Sequence, residues 1–229
     1  MKKLSYFTAA EKLLWGASSA LILLSFVLFD RGNILTLLAS LVGVASLIFS
    51  AKGNPLGQLL MVVFSLMYGV ISWSFAYYGE MLTYLGMTLP MSVFALVSWL
   101  KNPFNGKRSE VRVNSISRRE SLWMLVGTAA VTAVFGFILA ALDTANLLPS
   151  TLSVATSFLA VYLSFRRSPY FALAYAANDV VLILLWTLAS LTDIRYLSVA
   201  VCFAAFFAND LYGFISWLRM QKRQLACAA

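Results

Sequence analysis

Eight apolar stretches, each long enough to cross a lipid bilayer as a helix, take up most of this chain: Leu13–Phe29, Ile34–Ser50, Pro55–Phe75, Gly79–Leu100, Ser121–Leu142, Leu147–Phe165, Tyr170–Ser190 and Tyr196–Leu218. A hydrocarbon core roughly 30 Å thick needs about 17–25 helical residues, because lipid offers no partner to a backbone N–H or C=O. None of the stretches shows the two-residue alternation of a barrel strand, so the sequence predicts an all-α polytopic membrane protein. With 61% hydrophobic and 11% charged residues among 229, a water-soluble fold is excluded.

The charges orient the path. If successive connections alternate between the two faces, Lys2, Lys3, Lys12, Lys52, Lys101, Lys107, Arg108, Arg112, Arg118, Arg119, Arg166, Arg167, Arg219, Lys222 and Arg223 share one side. Only Arg31 and Arg195 fall on the other. Short cytoplasmic loops carry the Lys/Arg excess, so both termini are expected in the cytoplasm, in an inner (cell) membrane. One helix more or fewer would scatter the charges over both faces. The net charge of +8 therefore reads as topology, with attraction to the anionic bilayer surface as a secondary effect and no indication of nucleic acid. The first stretch follows Lys2 and Lys3 as a signal peptide would. It is long for that role, however, and Phe29-Asp30-Arg31 replaces a small-residue cleavage site, so it is read as a membrane helix.

Self-similarity is the next constraint. Val44-Ala45-Ser46 returns as Val154-Ala155-Thr156, Pro55 as Pro169, Trp73 as Trp186, and Ser98-Trp99-Leu100-Lys101 as Ser216-Trp217-Leu218-Arg219. Helices two to four are thus expected to repeat as six to eight. The division is residues 1–32 for an additional helix, 33–100 for the first repeat and 101–145 for a basic loop and linker helix. Residues 146–220 form the second repeat and 221–229 a tail. Three helices reverse the starting side and the linker helix resets it, so the repeats run parallel, an order that resembles SWEET-type transporters. In the loop, Asn105-Gly106-Lys107-Arg108 lacks the upstream Gly and the hydroxyl residue of a phosphate-binding loop.

Two acids are stranded inside the apolar stretches: Asp179 in helix seven and Asp210 in helix eight, each preceded by an Asn. A carboxylate at the membrane centre costs on the order of 2.5–3.5 kcal/mol on insertion scales, so such residues either line a substrate cavity or act as polar glue between helices. Helical spacing groups Tyr175, Asn178, Asp179 and Trp186 on helix seven, Asn209 and Tyr212 on helix eight, Tyr68 on helix three, and Tyr84 on helix four. Those eight residues are the predicted substrate-binding set, whose rings and amides suit a flat, polar-edged solute. Trp15, Trp99, Trp123 and Trp217, beside basic residues, are expected to form an interfacial belt. Trp73 and Trp186 read equally as belt or outer gate, and Glu80 as a solvated residue at the outer mouth. The chain has no His, and Cys202 and Cys227 lack ligand spacing. Neither a metal, a cofactor nor an enzymatic reaction is expected.

Three motifs carry a family likeness: Tyr77-Tyr78-Gly79-Glu80; Pro90-Met91 ahead of Trp99; and Asn209-Asp210-Leu211-Tyr212-Gly213 followed by Trp217. Through them the stretch from Ile34 to Met220 resembles the PnuC family of vitamin and nucleoside transporters. The resemblance implies a SWEET-like, trimeric carrier that moves nicotinamide riboside or a close relative by facilitated diffusion, with trapping by a cytoplasmic kinase. It also implies that Asn178 takes the place of the family's helix-seven Asn. Ala174, Tyr84 and Ser92 depart from the family's residues. Transport of another nucleoside or vitamin (a deoxynucleoside, thiamine, riboflavin) is the alternative, followed by a membrane enzyme or assembly factor using Asp179 and Asp210.

Overall fold

The structure, a computed structural model, describes residues 6–75 and 77–227; Lys2 and Lys3 lie outside the described residues. Eight helices are long and apolar enough to span a bilayer: α1 (Ala9–Phe29), α2 (Ile34–Ala51), α3 (Pro55–Ser74), α4 (Tyr78–Lys101), α5 (Arg118–Ala141), α6 (Leu147–Phe165), α7 (Tyr170–Ser190) and α8 (Leu197–Ala226). Local chemistry explains several starts. Thr8 and Glu11 close a reciprocal capping box on α1, and Asn33 and Asn54 cap α2 and α3, the latter with Pro55 in its first turn. In α4 the α-helical turns Tyr78–Leu82 and Leu89–Lys101 flank a π-helical segment, Thr83–Thr88. Pro90 accounts for the irregularity, because its ring lacks an N–H and crowds the carbonyl four residues back.

Helices α2–α3–α4 form one set and α6–α7–α8 another. They meet along two corresponding seams, α2 against α8 and α4 against α6. At one end of the bundle the seams are fastened alike. Trp99 Nε1 donates to the Ser164 carbonyl at 2.9 Å, and Trp217 Nε1 to the Ser50 carbonyl at 2.8 Å. The two indoles touch, with centroids 5.3 Å apart. This corrects the belt assignment for Trp99 and Trp217, which are fully buried; Trp15 and Trp123, 44% and 64% exposed, do lie on the outside. Both indoles lie inside the protein, where an N–H must find an acceptor, and carbonyls in the last turns of α2 and α6 supply it.

Helix α1 packs on α8 and α2, and α5 lies along α6. Both present apolar side chains outward, Phe137 on α5 at 79% exposure among them. In lipid such exposure carries no hydrophobic penalty.

The basic loop is more ordered than its polarity suggested. Pro103–Phe104 and Lys107–Val111 pair as an antiparallel hairpin about Asn105-Gly106, both in the left-handed region at φ 49° and 74°. Asn-Gly is the dipeptide that a tight hairpin turn favours, since both central residues need positive φ. The strand then binds both helix sets. Val111 N–H donates to Gly53 O at 2.8 Å in the α2–α3 turn, and Asn114 N–H to Arg167 O at 3.0 Å in the corresponding α6–α7 turn. Gln224 on the long end of α8 completes the strap, accepting from Val113 N–H and donating to the Val111 carbonyl.

Candidate substrate-binding site

The middle of the bundle is aromatic and acidic. Tyr68, fully enclosed on α3, has ring neighbours from both helix sets: Tyr84 at 4.3 Å, Phe203 at 5.5 Å and Trp186 at 6.2 Å between centroids. The Trp186 indole N–H donates to the Tyr68 hydroxyl at 2.6 Å, so α3 and α7 close on each other through one hydrogen bond and an edge-to-face contact. Trp186 packs outward against Tyr77 and Tyr196, at 4.8 and 5.7 Å. It is therefore a core residue and not part of an interfacial belt, while Trp73, 63% exposed, faces outward.

Tyr84 belongs to the π-helical segment of α4. Its hydroxyl is within electrostatic reach of Glu80 on its own helix and of Asp179 and Tyr175 on α7. Tyr175 is in turn near both Asp179 and Asp210, whose carboxyls face each other across the α7–α8 contact. Five of the eight predicted residues, Tyr68, Tyr84, Tyr175, Asp179 and Trp186, thus gather in one place.

The other three have different neighbours. Asn178 Oδ1 accepts from Thr156 and Ser157 on α6, at 2.8 and 3.1 Å. Asn209 Nδ2 donates to Ser18 on α1 and to its own helix at Ala205, both at 2.8 Å. The Tyr212 hydroxyl donates to Glu11 on α1 at 3.1 Å. Glu11 also takes Lys52 of the α2–α3 turn as its ion-pair partner at 3.0 Å, so the first helix links both sets at the basic end.

Glu80 does not lie in solvent at the mouth, as its position in the sequence suggested; it is fully buried. The reason is its neighbour. A Cβ on Gly79 would lie 3.0 Å from the Thr144 methyl and 3.2 Å from a Leu139 methyl, so glycine lets the start of α4 press closely against α5 and the α5–α6 turn, with Glu80 on the buried side. The Gly-Glu pair beside an expected helix start was the available signal.

The electrostatics of this centre are one-sided. Glu80, Asp179 and Asp210 are all buried, and among the described residues every ion pair lies elsewhere: Lys52–Glu11, Arg166–Glu120, Arg195–Asp193 and Arg223–Glu110. Both Glu80 oxygens, Asp179 Oδ2 and the hydroxyls of Ser65, Ser72 and Thr83 have no hydrogen-bond partner. Buried polar atoms are rarely left so; each costs about 1–3 kcal/mol unless something else satisfies it. The acids do not converge on one point, for among the described residues no three His, Cys, Asp or Glu side chains could hold a metal ion. The crevice between Tyr68, Ser40 and Cys202, beside this centre, encloses about 10 Å³, far below the several hundred Å³ of a typical ligand pocket.

The sequence model described as "Nicotinamide mononucleotide transporter" matches residues 33–219, leaving α1 outside. A "Nicotinamide riboside transporter PnuC" of Neisseria mucosa is 25% identical over 202 residues, 85% of this chain and 76% of that protein. One from Haemophilus influenzae is 22% identical over 194 residues, 82% and 81% of the two chains. Among solved structures, the "Crystal structure of the Vitamin B3 transporter PnuC" superposes with a TM-score of 0.83 at 22% identity, covering 95% of this chain and 94% of that one. The likeness in three dimensions is one of fold. With the family's sequence pattern running from the start of α2 to the end of the membrane-spanning part of α8, the chain belongs to the nicotinamide mononucleotide transporter family of multi-pass membrane proteins.

Proposed function

We propose that this chain carries nicotinamide riboside across the inner membrane by facilitated diffusion, the solute binding where Tyr68, Tyr84, Tyr175, Asp179 and Trp186 meet. One observation carries the choice of solute: the buried centre holds three carboxyls and, among the described residues, no Lys or Arg paired with them. The family description speaks of the mononucleotide and the relatives' names of the riboside, and the two differ by a phosphate. A phosphate dianion needs cationic or N–H donors and would be repelled here, whereas the uncharged ribose and the flat ring are compatible with hydroxyls and aromatic faces.

In this reading α2–α3–α4 and α6–α7–α8 are parallel repeats that rock about the centre, opening it to one face at a time. The matched Trp99 and Trp217 bonds support that pairing. Both termini are cytoplasmic, a kinase traps the product, and three copies assemble. The groove of small residues between α5 and α6, including Thr128, Thr132 and Gly136, is a surface suited to helix packing between copies. Counterflow in proteoliposomes is the test. Unlabelled nicotinamide riboside inside the vesicles should drive accumulation of labelled riboside, and the mononucleotide should not compete. Absence of counterflow, or competition by the mononucleotide at similar concentration, refutes the proposal.

A further inference from the structure

We propose that Glu80 is the counter-charge for a solute bearing a fixed positive charge on an aromatic ring, so that the site selects cationic over neutral rings. The inference rests on the transporter reading above and adds to it the charge of the preferred substrate and the residue that selects it.

The three central carboxyls are not equivalent. Asp179 and Asp210 face each other and share their environment. Glu80 is separate from that pair and fully buried; the Ser153 hydroxyl on α6 is the polar group beside its carboxyl, neither oxygen meets hydrogen-bond geometry, and no cationic side chain is paired with it. Desolvating a carboxylate costs several kcal/mol, which a protein offsets with a cation, a proton or a set of donors. Here none of the surrounding side chains supplies the cation.

Glu80 lies within electrostatic reach of the Tyr68 and Tyr84 hydroxyls, and the rings of Tyr68, Tyr84 and Trp186 form the adjoining wall. Aromatic faces carry negative potential and attract a delocalised cation laid against them. Two further groups point to a ligand independently of the acids. Ser65 and Ser72 are on the same face of α3 as Tyr68, three residues before it and four after, fully buried with unpartnered hydroxyls. A ring with a positive nitrogen and hydroxyl-bearing substituents answers all these groups at once. When the Tyr68–Trp186 contact parts, the charge of Glu80 and the π faces meet such a ring from adjacent directions.

Nicotinamide riboside and its dihydro form test this directly, because the two have the same ribose and carboxamide and differ in ring charge and in one added hydride. Titration calorimetry on purified full-length protein should show the cation bound at least about tenfold more tightly than the neutral dihydro form. In Glu80→Gln that preference should shrink to about twofold or less, and Glu80→Asp should retain part of it. Equal binding of the two forms by the unmodified protein overturns the inference alone, and does so whether or not the variants fold. A Glu80→Gln protein that keeps the full preference also overturns it. Failure of the unmodified protein to bind either form removes the transporter reading and this inference together.

Discussion

At the residue scale, the amides show that a buried polar side chain in an apolar stretch can already have partners within the protein. Asn178 was legible as an unusual residue in an apolar stretch, but its sequence position could not say which neighbour it answers. In the fold it accepts two hydroxyls from α6. Asn178→Ala should therefore lower stability by about 1–3 kcal/mol, since the buried Ser157 hydroxyl loses its acceptor, while Thr156 retains the Leu152 and Ser153 carbonyls. The apparent dissociation constant for riboside should change by less than about threefold, well under the tenfold expected of a lost ligand hydrogen bond. Thermal unfolding and calorimetry on the same preparation separate the two outcomes, and a large affinity loss with unchanged stability would place Asn178 at the ligand. Asn209 and Tyr212 illustrate the same ambiguity. Helical spacing puts them on a polar face, yet the partner on that face is α1, whose Ser18 and Glu11 no local pattern could match to them.

At the element scale, all eight membrane helices were readable from apolar run length alone, because the bilayer permits few alternatives to an internally bonded helix. Two departures were not read. The hairpin at Asn105-Gly106 had a direct signal in that dipeptide, obscured by the polar, basic composition around it. The π-helical segment had only a partial one, Pro90, which marks strain without stating how the helix resolves it. That segment carries Tyr84, so its geometry aims a residue of the proposed site. Pro90→Ala restores the missing N–H and permits a regular α-helix. Closing the π turn rotates Tyr84 relative to the second half of α4 by roughly one residue, about 100°. We expect Pro90→Ala to bind riboside at least about tenfold more weakly, as loss of one ring contact and its hydrogen-bonding orientation implies, while thermal stability is unchanged or raised. Unaltered affinity would show that the π segment does not orient Tyr84 for binding.

At the scale of the whole molecule, the two helix sets are fastened alike at the basic end, at the two tryptophans that the sequence pairs as Ser98-Trp99 and Ser216-Trp217. Each set lends a tryptophan to the last carbonyls of the other's first helix, the two indoles touch, and one strap bonds to both corresponding turns. Under the alternating access proposed above, with the basic end facing the cytoplasm, rocking of the sets toward a cytoplasm-open state separates these bonds, because Trp99 and Trp217 each span a seam between sets. Trp99→Phe and Trp217→Phe keep an aromatic ring and remove one cross-seam hydrogen bond apiece. Each should raise the population of the open state about fivefold to tenfold, the effect of removing a net contribution near 1 kcal/mol from the closed state. Because both indoles belong to one contact, the double variant should differ from the product of the two singles. The readout is the labelling rate of a cysteine introduced at Ala51, buried beside Gly213 in the α2–α8 seam, by a membrane-impermeant thiol reagent applied from the cytoplasmic side. The background is Cys202→Ser and Cys227→Ser, which removes the two native thiols. Rates that rise in the single variants and respond non-multiplicatively in the double identify the tryptophan pair as the cytoplasmic closure. Rates unchanged from the parent would mean that the sets open elsewhere, with these bonds holding the seam shut throughout the cycle.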